Sequence, residues 1–489
     1  MLPLDPAKRL LVTGELFEKM RYQGAGSSMV NATRVTGPKA AFDEAGAAYR
    51  YCPGYRENSV EPDQTLIDEA VHLAADHDII LVFAGLTDYV ESEGCDREDL
   101  RLPENQLALL TALTDTGKPV VVVLFGGGVA ELDFADRVQG ILHLFLPGQN
   151  GGSAAYRLLF GLDHPGGRLA ETWPLRGADV PGNAEFGQGP LERYRESIFM
   201  GYRYYQTVGK PVRYPFGYGL SYTKFAYYNM AVRREADRTV VSCEIENTGS
   251  RDGAEVVQLY VSGPASAVLK PARELRAFTK VYLAAGQRRK ITLQVADSQL
   301  RYYHHKLHRW VLEPGRYQFQ LCRDAATVIC AEPVELEAEP VESPYTGADL
   351  FAYRDPAAVN DAEFAAMSGC MIPTLPPTNP IRMESRFTDL NSTRWGRLIF
   401  KGIMLLPESQ RRGAMKLPAG PERDNRLKSA QFMRRMLESG SLRSMAMSEG
   451  RMLPYNLAQG LMHLANGQVL RALFRMLCPV RAPKLPKDE

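Results

Sequence analysis

The stretch from Asp88 to Asp96 carries four carboxylates, Asp88, Glu91, Glu93 and Asp96, in the run Glu91-Ser92-Glu93-Gly94-Cys95-Asp96-Arg97. A carboxyl group held in a loop can move protons as a general acid or base when its surroundings tune it. Glu93 is the candidate for that work. Gly94 lets the backbone bend tightly beside it, Arg97 is placed to hold Asp96 in a bidentate pair that stiffens the loop, and Ser92 completes the support. Read by residue type alone, so many acids are more simply a solvated, charged loop.

Other residues promise less. Gln23-Gly24-Ala25-Gly26-Ser27-Ser28 could cradle an anion with backbone amides, but it lacks both the Gly-Lys-Ser/Thr of a P-loop and a full GxGxxG. Phe125-Gly126-Gly127-Gly128 reads as a strand-to-helix turn. His143 lies inside an apolar run and reads as a core histidine. His304, His305 and His308 are close enough to suggest a metal, yet with no neighbouring carboxylate or cysteine they read as solvent-exposed. Ser153 has no nucleophile elbow around it. No metal and no cofactor are expected.

The elements that must position Glu93 are legible in the pattern. Leu10 to Thr13, Tyr49 to Cys52, Ile79 to Ala84, Val120 to Leu124 and Ile141 to Leu146 are short runs, apolar throughout, as strands buried on both faces of a parallel sheet are. Between them Leu66, Ile67, Ala70, Val71 and Ala74 form one helical stripe, and Leu107, Leu110 and Leu113 another. The second opens at Pro103-Glu104 and stops at Gly117 and Pro119. Repeated strand–helix–strand units predict an α/β layered sandwich with helices on both faces. Loop 85–102 then leaves the carboxyl end of a strand, where open α/β sheets gather their ligands.

From about Phe225 the period becomes that of strands. Thr239 to Glu246, Ala254 to Val261, Arg289 to Val295, Trp310 to Leu312 and Arg316 to Leu321, separated by turn residues, predict an all-β sandwich. The tyrosine-rich stretch 194–228 reads as packing, with Tyr202, Tyr204, Phe216 and Tyr218 pinning the join between the two units. The expected division is 1–222, 223–338, a linker or embracing arm over 339–380, and a helical extension over 381–489. Twelve of the 17 methionines fall between Met367 and Met476, on segments such as Ser429 to Glu438 and Asn456 to Leu477 with helical spacing.

The chain has 489 residues and a formal net charge of +1, which removes any whole-chain electrostatic case for nucleic acid or an anionic membrane. The charge is unevenly spread. Residues 381–489 hold 20 basic and 9 acidic side chains, an excess of +11 that leaves −10 for residues 1–380. The extension reads most plainly as an appendage docked on its own protein; a partner groove and an anionic bilayer are the other two readings. Seven cysteines without close-spaced pairs suit free thiols in a reducing compartment. No apolar stretch reaches the roughly eighteen residues of a membrane span, and the N-terminus lacks a signal-peptide pattern. A cytoplasmic protein is expected.

Several motifs in order carry a resemblance. RYQGAGSS (21–28), ESEGCDREDLRLPENQ (91–106), LPGQNGG (146–152), GRLAETWP (167–174), YRESIFMGYRYY (194–205) and PFGYGLSYT (215–223) resemble the second domain of family 3 glycoside hydrolases, the β-glucosidase-like enzymes. The following ENTGSRDGAEVVQLYVS (246–262) is similar to their fibronectin type III-like domain. Together these cover about 340 residues. Members normally begin with a (β/α)8-type barrel that supplies the aspartate nucleophile, and Leu2-Pro-Leu-Asp resembles the linker after it. The resemblance therefore implies a chain without the barrel.

The resemblance also implies that Glu93 occupies the position of the family's acid/base glutamate. A retaining glycosidase needs two carboxyl groups roughly 5–5.5 Å apart, so the second has to come from the barrel. The expected substrate is a β-linked glucoside or xyloside, and the expected partner a separate barrel-domain polypeptide, with a second copy of the chain a further candidate and nucleic acid excluded. The alternative function is a non-catalytic carbohydrate- or protein-binding scaffold derived from such an enzyme.

Overall fold

The computed structural model describes residues 1–93, 96–186, 191–374, 377–418, 421–447 and 453–478. The five apolar runs become β1 (Leu10–Thr13), β2 (Tyr49–Cys52), β3 (Ile79–Gly85), β4 (Val120–Phe125) and β5 (Gly140–Phe145) of one sheet. Its order is β2-β1-β3-β4-β5 and every pairing is parallel. All residues of β1, β3 and β4 are buried, which is why those runs are apolar without alternation. Helices α1 (Pro38–Glu44), α2 (Gln64–Ala74), α3 (Glu104–Asp115) and α4 (Gly151–Leu159) flank the sheet, α1 packing with α4 and α2 with α3. The stripe read from sequence is the buried face of α2, whose first turn is capped by the Asp63 carboxylate on the amides of Thr65 and Leu66.

Beyond α4 the chain makes a short antiparallel pair, β6 (Trp173–Pro174) with β7 (Val212–Tyr214), and helix α5 (Tyr202–Val208) between them in sequence. The sandwich follows as β8 (Phe225–Glu235), β9 (Arg238–Asn247), β10 (Gly253–Ser262), β11 (Glu274–Leu283), β12 (Arg288–Ala296), β13 (Tyr302–His304), β14 (Arg309–Val311), β15 (Gly315–Cys322) and β16 (Val328–Leu336). Its sheets are ordered β11-β10-β15-β16 and β12-β9-β8, with β13 and β14 a separate hairpin. Alternate residues such as Val241, Cys243, Ile245, Phe319 and Leu321 fill the space between the sheets.

The join between the two units is polar and buried. Arg168 Nη2 donates to Glu255 Oε2 at 2.7 Å, and the Tyr227 hydroxyl donates to Glu255 Oε1 at 2.8 Å. Burial pushes the Glu255 carboxyl up, against the pull of Arg168 and Tyr227. Tyr202 stacks on Phe216 with centroids 4.9 Å apart, and its hydroxyl accepts from the Leu275 amide. Residues after β16 run back along the first unit as α6 (Gly347–Ala352) and α7 (Asp361–Ser368). There Tyr353 and Val359 pack with Phe199, Tyr204 and Tyr205, and the Tyr353 hydroxyl donates to the Arg195 carbonyl at 2.9 Å.

The extension is a helical bundle of α8 (Arg394–Met415), α9 (Pro421–Ser439), α10 (Leu442–Met447), α11 (Tyr455–Ala465) and α12 (Val469–Leu477) around Met383, Phe387, Leu390, Leu437 and Leu442. The single helical segment expected over 456–477 is two helices, because Gly467 adopts φ +77° and turns the chain between them. No helix among the described residues is long and apolar enough to cross a membrane.

One expectation about histidines fails. His304 is buried, not solvent-exposed. Its Nδ1 accepts the Leu307 amide at 3.2 Å, which leaves Nε2 to donate to the Glu342 carbonyl at 2.9 Å. One ring nitrogen braces the hairpin's own turn and the other ties the hairpin to the chain that follows the sandwich.

Candidate active site

Glu93 sits on the loop that leaves β3 at the carboxyl edge of the parallel sheet, as the pattern of strands requires. Its side chain is exposed. The loop's exit is clamped by Gln106 at the start of α3: Oε1 accepts the Gly85 amide at 2.8 Å and Nε2 donates to the Gly85 carbonyl at 2.9 Å. Asn105 beside it donates to the carbonyls of Arg56 and Ser59. The residues LPENQ at the end of the long motif are therefore the anchor of the loop that precedes them.

Four crowded acids divide into two classes. Asp88 and Glu91 turn inward to the buried guanidinium of Arg21. Arg21 Nη1 donates to the Leu86 carbonyl and to Glu91 Oε2, both at 2.5 Å, Nη2 donates to the Glu91 carbonyl at 3.0 Å, and Nε lies 3.1 Å from Asp88 Oδ1. Glu91 Oε2 also accepts the Gly127 amide at 2.8 Å, so the triple-glycine turn after β4 is tied to the same network. Charge-assisted bonds of this kind hold the loop against two neighbouring strand-end turns. Glu93 and Asp96 are left pointing to solvent.

The Gln23–Ser28 loop does cradle an anion, and the anion is Glu93. The Ser27 amide donates to Glu93 Oε2, and the Glu93 amide donates to the Ala25 carbonyl at 3.0 Å. Gly26 is required there: it has φ +109°, and an added Cβ would lie 2.5 Å from Glu93 Cβ. Hydrogen bonds from the Ser27 side chain and amide hold the Glu93 carboxyl below its usual range, against a smaller upward push from desolvation. No second carboxylate is among the groups that shift it.

The supporting residues differ from expectation in one respect. Arg97 makes no ion pair with Asp96; its Nη1 donates to the Val129 carbonyl at 2.7 Å and its Nη2 to the Arg101 carbonyl at 3.4 Å. A partly buried guanidinium satisfies itself on fixed carbonyls, while Asp96 gains more from water than from a pair at the surface. Ser92 Oγ approaches the Glu93 carbonyl at 3.4 Å. Gly94 lies outside the described residues. Arg21, Asn105 and Gln106 escape a reading that weighs only groups able to do chemistry. Their signal was the presence of polar side chains at buried strand-end and helix-start positions inside the motifs.

Beside this rim a groove of about 630 Å³ is lined by Lys19, Arg21, Tyr22, Val35, Glu57 and Asp88 among others. Met29, Val30 and Val35 stand exposed along the loop that cradles Glu93.

Residues 1–222 match the glycosyl hydrolase family 3 C-terminal domain, and residues 255–325 the fibronectin type III-like domain. Thermostable beta-glucosidase B of Acetivibrio thermocellus is 36% identical over 346 residues, 69% of this chain and 46% of that protein. The exo-alpha-(1->6)-L-arabinopyranosidase of Bifidobacterium breve is 35% identical over 401 residues, 80% of this chain and 52% of that protein. Among solved structures, the GH3 beta-glucosidase of Bifidobacterium adolescentis superposes with a TM-score of 0.66 at 36% identity, over 73% of this chain and 53% of its own. The chain spans about half the length of the curated relatives it matches. Through this C-terminal α/β domain and the fibronectin type III-like sandwich behind it, the chain belongs to glycoside hydrolase family 3.

Proposed function

We propose that this chain supplies the acid/base half of a retaining β-glycosidase site and that the nucleophile comes from a barrel domain outside the described residues. The observation that carries the reading is the presentation of Glu93: an exposed carboxylate on a strand-end loop, held by the Ser27 amide, while Asp88 and Glu91 of the same loop are spent on Arg21 and Gly127. Ser92 and Arg97 shape that loop, Arg97 through the Val129 and Arg101 carbonyls. The presenting unit is residues 1–222, backed by the sandwich 223–338, the arm 339–380 and the helical extension 381–489. Among the described residues the parallel strands form one open row of five, and no eight-stranded barrel is present.

In the first step a barrel aspartate attacks the anomeric carbon while protonated Glu93 gives its proton to the leaving oxygen. In the second, the Glu93 carboxylate takes a proton from the water that attacks the glycosyl-enzyme, restoring the original configuration. Donation from Ser27 favours the anion, which suits the second step. The first needs the carboxyl raised, through desolvation under bound sugar and the charge of the barrel carboxylate. The substrate is a β-linked glucoside or xyloside, the glucoside in keeping with the A. thermocellus relative being a beta-glucosidase. The six described cysteines are free thiols, which suits a reducing compartment such as the cytoplasm.

The purified chain is expected to show no turnover of aryl β-glucosides above background. Adding a family 3 barrel domain in trans restores hydrolysis, and Glu93→Gln then lowers kcat about 10²–10⁴-fold. The loss shrinks for leaving groups acidic enough to depart without a proton. Robust turnover by the chain alone, or restored activity indifferent to Glu93→Gln, defeats the proposal.

A further inference from the structure

Helix α12 ends the described chain with an apolar stripe that no other described residue covers. Leu470, Leu473, Phe474 and Leu477 are spaced i, i+3, i+4 and i+7, and they are 84%, 52%, 64% and 80% exposed. The opposite face is the one that packs: Ala472 is buried, and Met476 lies against Gly460 of α11. Helix α8 carries a second exposed apolar row, Trp395, Leu398 and Leu405, while its Ile399, Phe400 and Ile403 face the bundle core. The two rows adjoin, since the Trp395 ring lies beside Gly467, two residues before α12. Contiguous exposed apolar surface of this extent marks an interaction site.

Charge identifies the partner. Helices α8 and α12 together hold seven basic side chains and one acidic one, Glu408, which is paired with Arg411 and Arg412. Arg394, Arg397, Lys401, Arg471 and Arg475 make no ion pair among the described residues. A second copy docking stripe to stripe would bring like charges together. Leucines and phenylalanine flanked by arginines, with a tryptophan at the margin, match the boundary between acyl chains and anionic headgroups. We propose that the α8–α12 face of the helical extension binds the surface of anionic lipid bilayers, lying in the interface without crossing it.

Flotation of the full chain with phosphatidylcholine vesicles containing or lacking about a third phosphatidylglycerol reads this directly. The chain is expected to float with the anionic vesicles at low salt, and to be released as salt rises. Leu473→Glu/Phe474→Glu and Arg471→Glu/Arg475→Glu each weaken flotation about tenfold or more. All four positions are exposed, so circular dichroism and the unfolding midpoint stay at the parent values. Failure to float at low salt, flotation unaffected by either double variant, or sedimentation showing a dimer that Leu473→Glu/Phe474→Glu dissolves, overturns the proposal. None of these readouts involves glycoside hydrolysis.

Discussion

At the scale of single residues, chemistry is separated from support by where each polar group finds its partners. Glu93 meets a backbone amide and water, whereas Glu91, two residues earlier, is consumed by Arg21 and Gly127. His143 illustrates the same sorting in the core. Its Nδ1 reaches the Leu124 carbonyl at 3.2 Å, its Nε2 has no partner, and Phe145 and Trp173 enclose the ring. Burial pushes it down to about 4, against the Leu124 bond and the charge of Glu91. The unfolded chain takes up that proton below about 6.5 and the folded one resists it until about 4. The contribution of His143 is thus intact above about pH 6.5 and is lost as the pH falls towards 4, by about 2–3 kcal/mol. Urea midpoints followed from pH 7 to pH 4.5 should fall less steeply for His143→Phe than for the parent chain, and parallel curves would remove histidine from the account.

At the scale of elements, period and burial explain which strands were legible. Strands β1, β3 and β4 are apolar because both faces are covered, and β9 alternates because one face is. Strands β8, β11 and β16 sit at sheet edges and mix half-exposed residues with charges, so neither period announces them. The units meet through the Arg168–Glu255 pair, whose side chains are almost fully buried. Arg168→Met leaves a carboxylate buried without its cation and should cost roughly 3 kcal/mol in denaturant unfolding. The double variant Arg168→Met/Glu255→Met should recover most of that, since the penalty lies in the unpaired charge. Additive losses in the two single variants would show that the pair is not coupled.

At the scale of the whole molecule, the Glu93 rim and the apolar residues Met29, Val30 and Val35 beside it form the face on which a barrel is proposed to sit. Exposed apolar side chains next to a polar groove are what an interface leaves when its partner is elsewhere. Met29→Asp/Val30→Asp should abolish binding of a family 3 barrel domain in a titration while leaving the unfolding midpoint within about 0.5 kcal/mol of the parent. Undiminished binding by that variant would move the interface to another face. The B. breve relative aligns over 80% of this chain, so the likeness runs past the sandwich into the residues that follow it.

Sequence alone determined what depends on local pattern and ordered motifs. Buried parallel strands show as unbroken apolar runs, the loop with Glu93 falls at the carboxyl end of one of them, and six motifs in order carry the family. What required the tertiary structure was every choice among chemically equal candidates. The acids between Asp88 and Asp96 are alike in sequence. Only the approach of Arg21, Gly127 and Ser27 from other strand-end loops decides that Asp88 and Glu91 hold the loop while Glu93 faces outward, and that Arg97 spends its charge on carbonyls and leaves Asp96 to water. Partners so distant along the chain leave no period to read, because the geometry that joins them is made by packing.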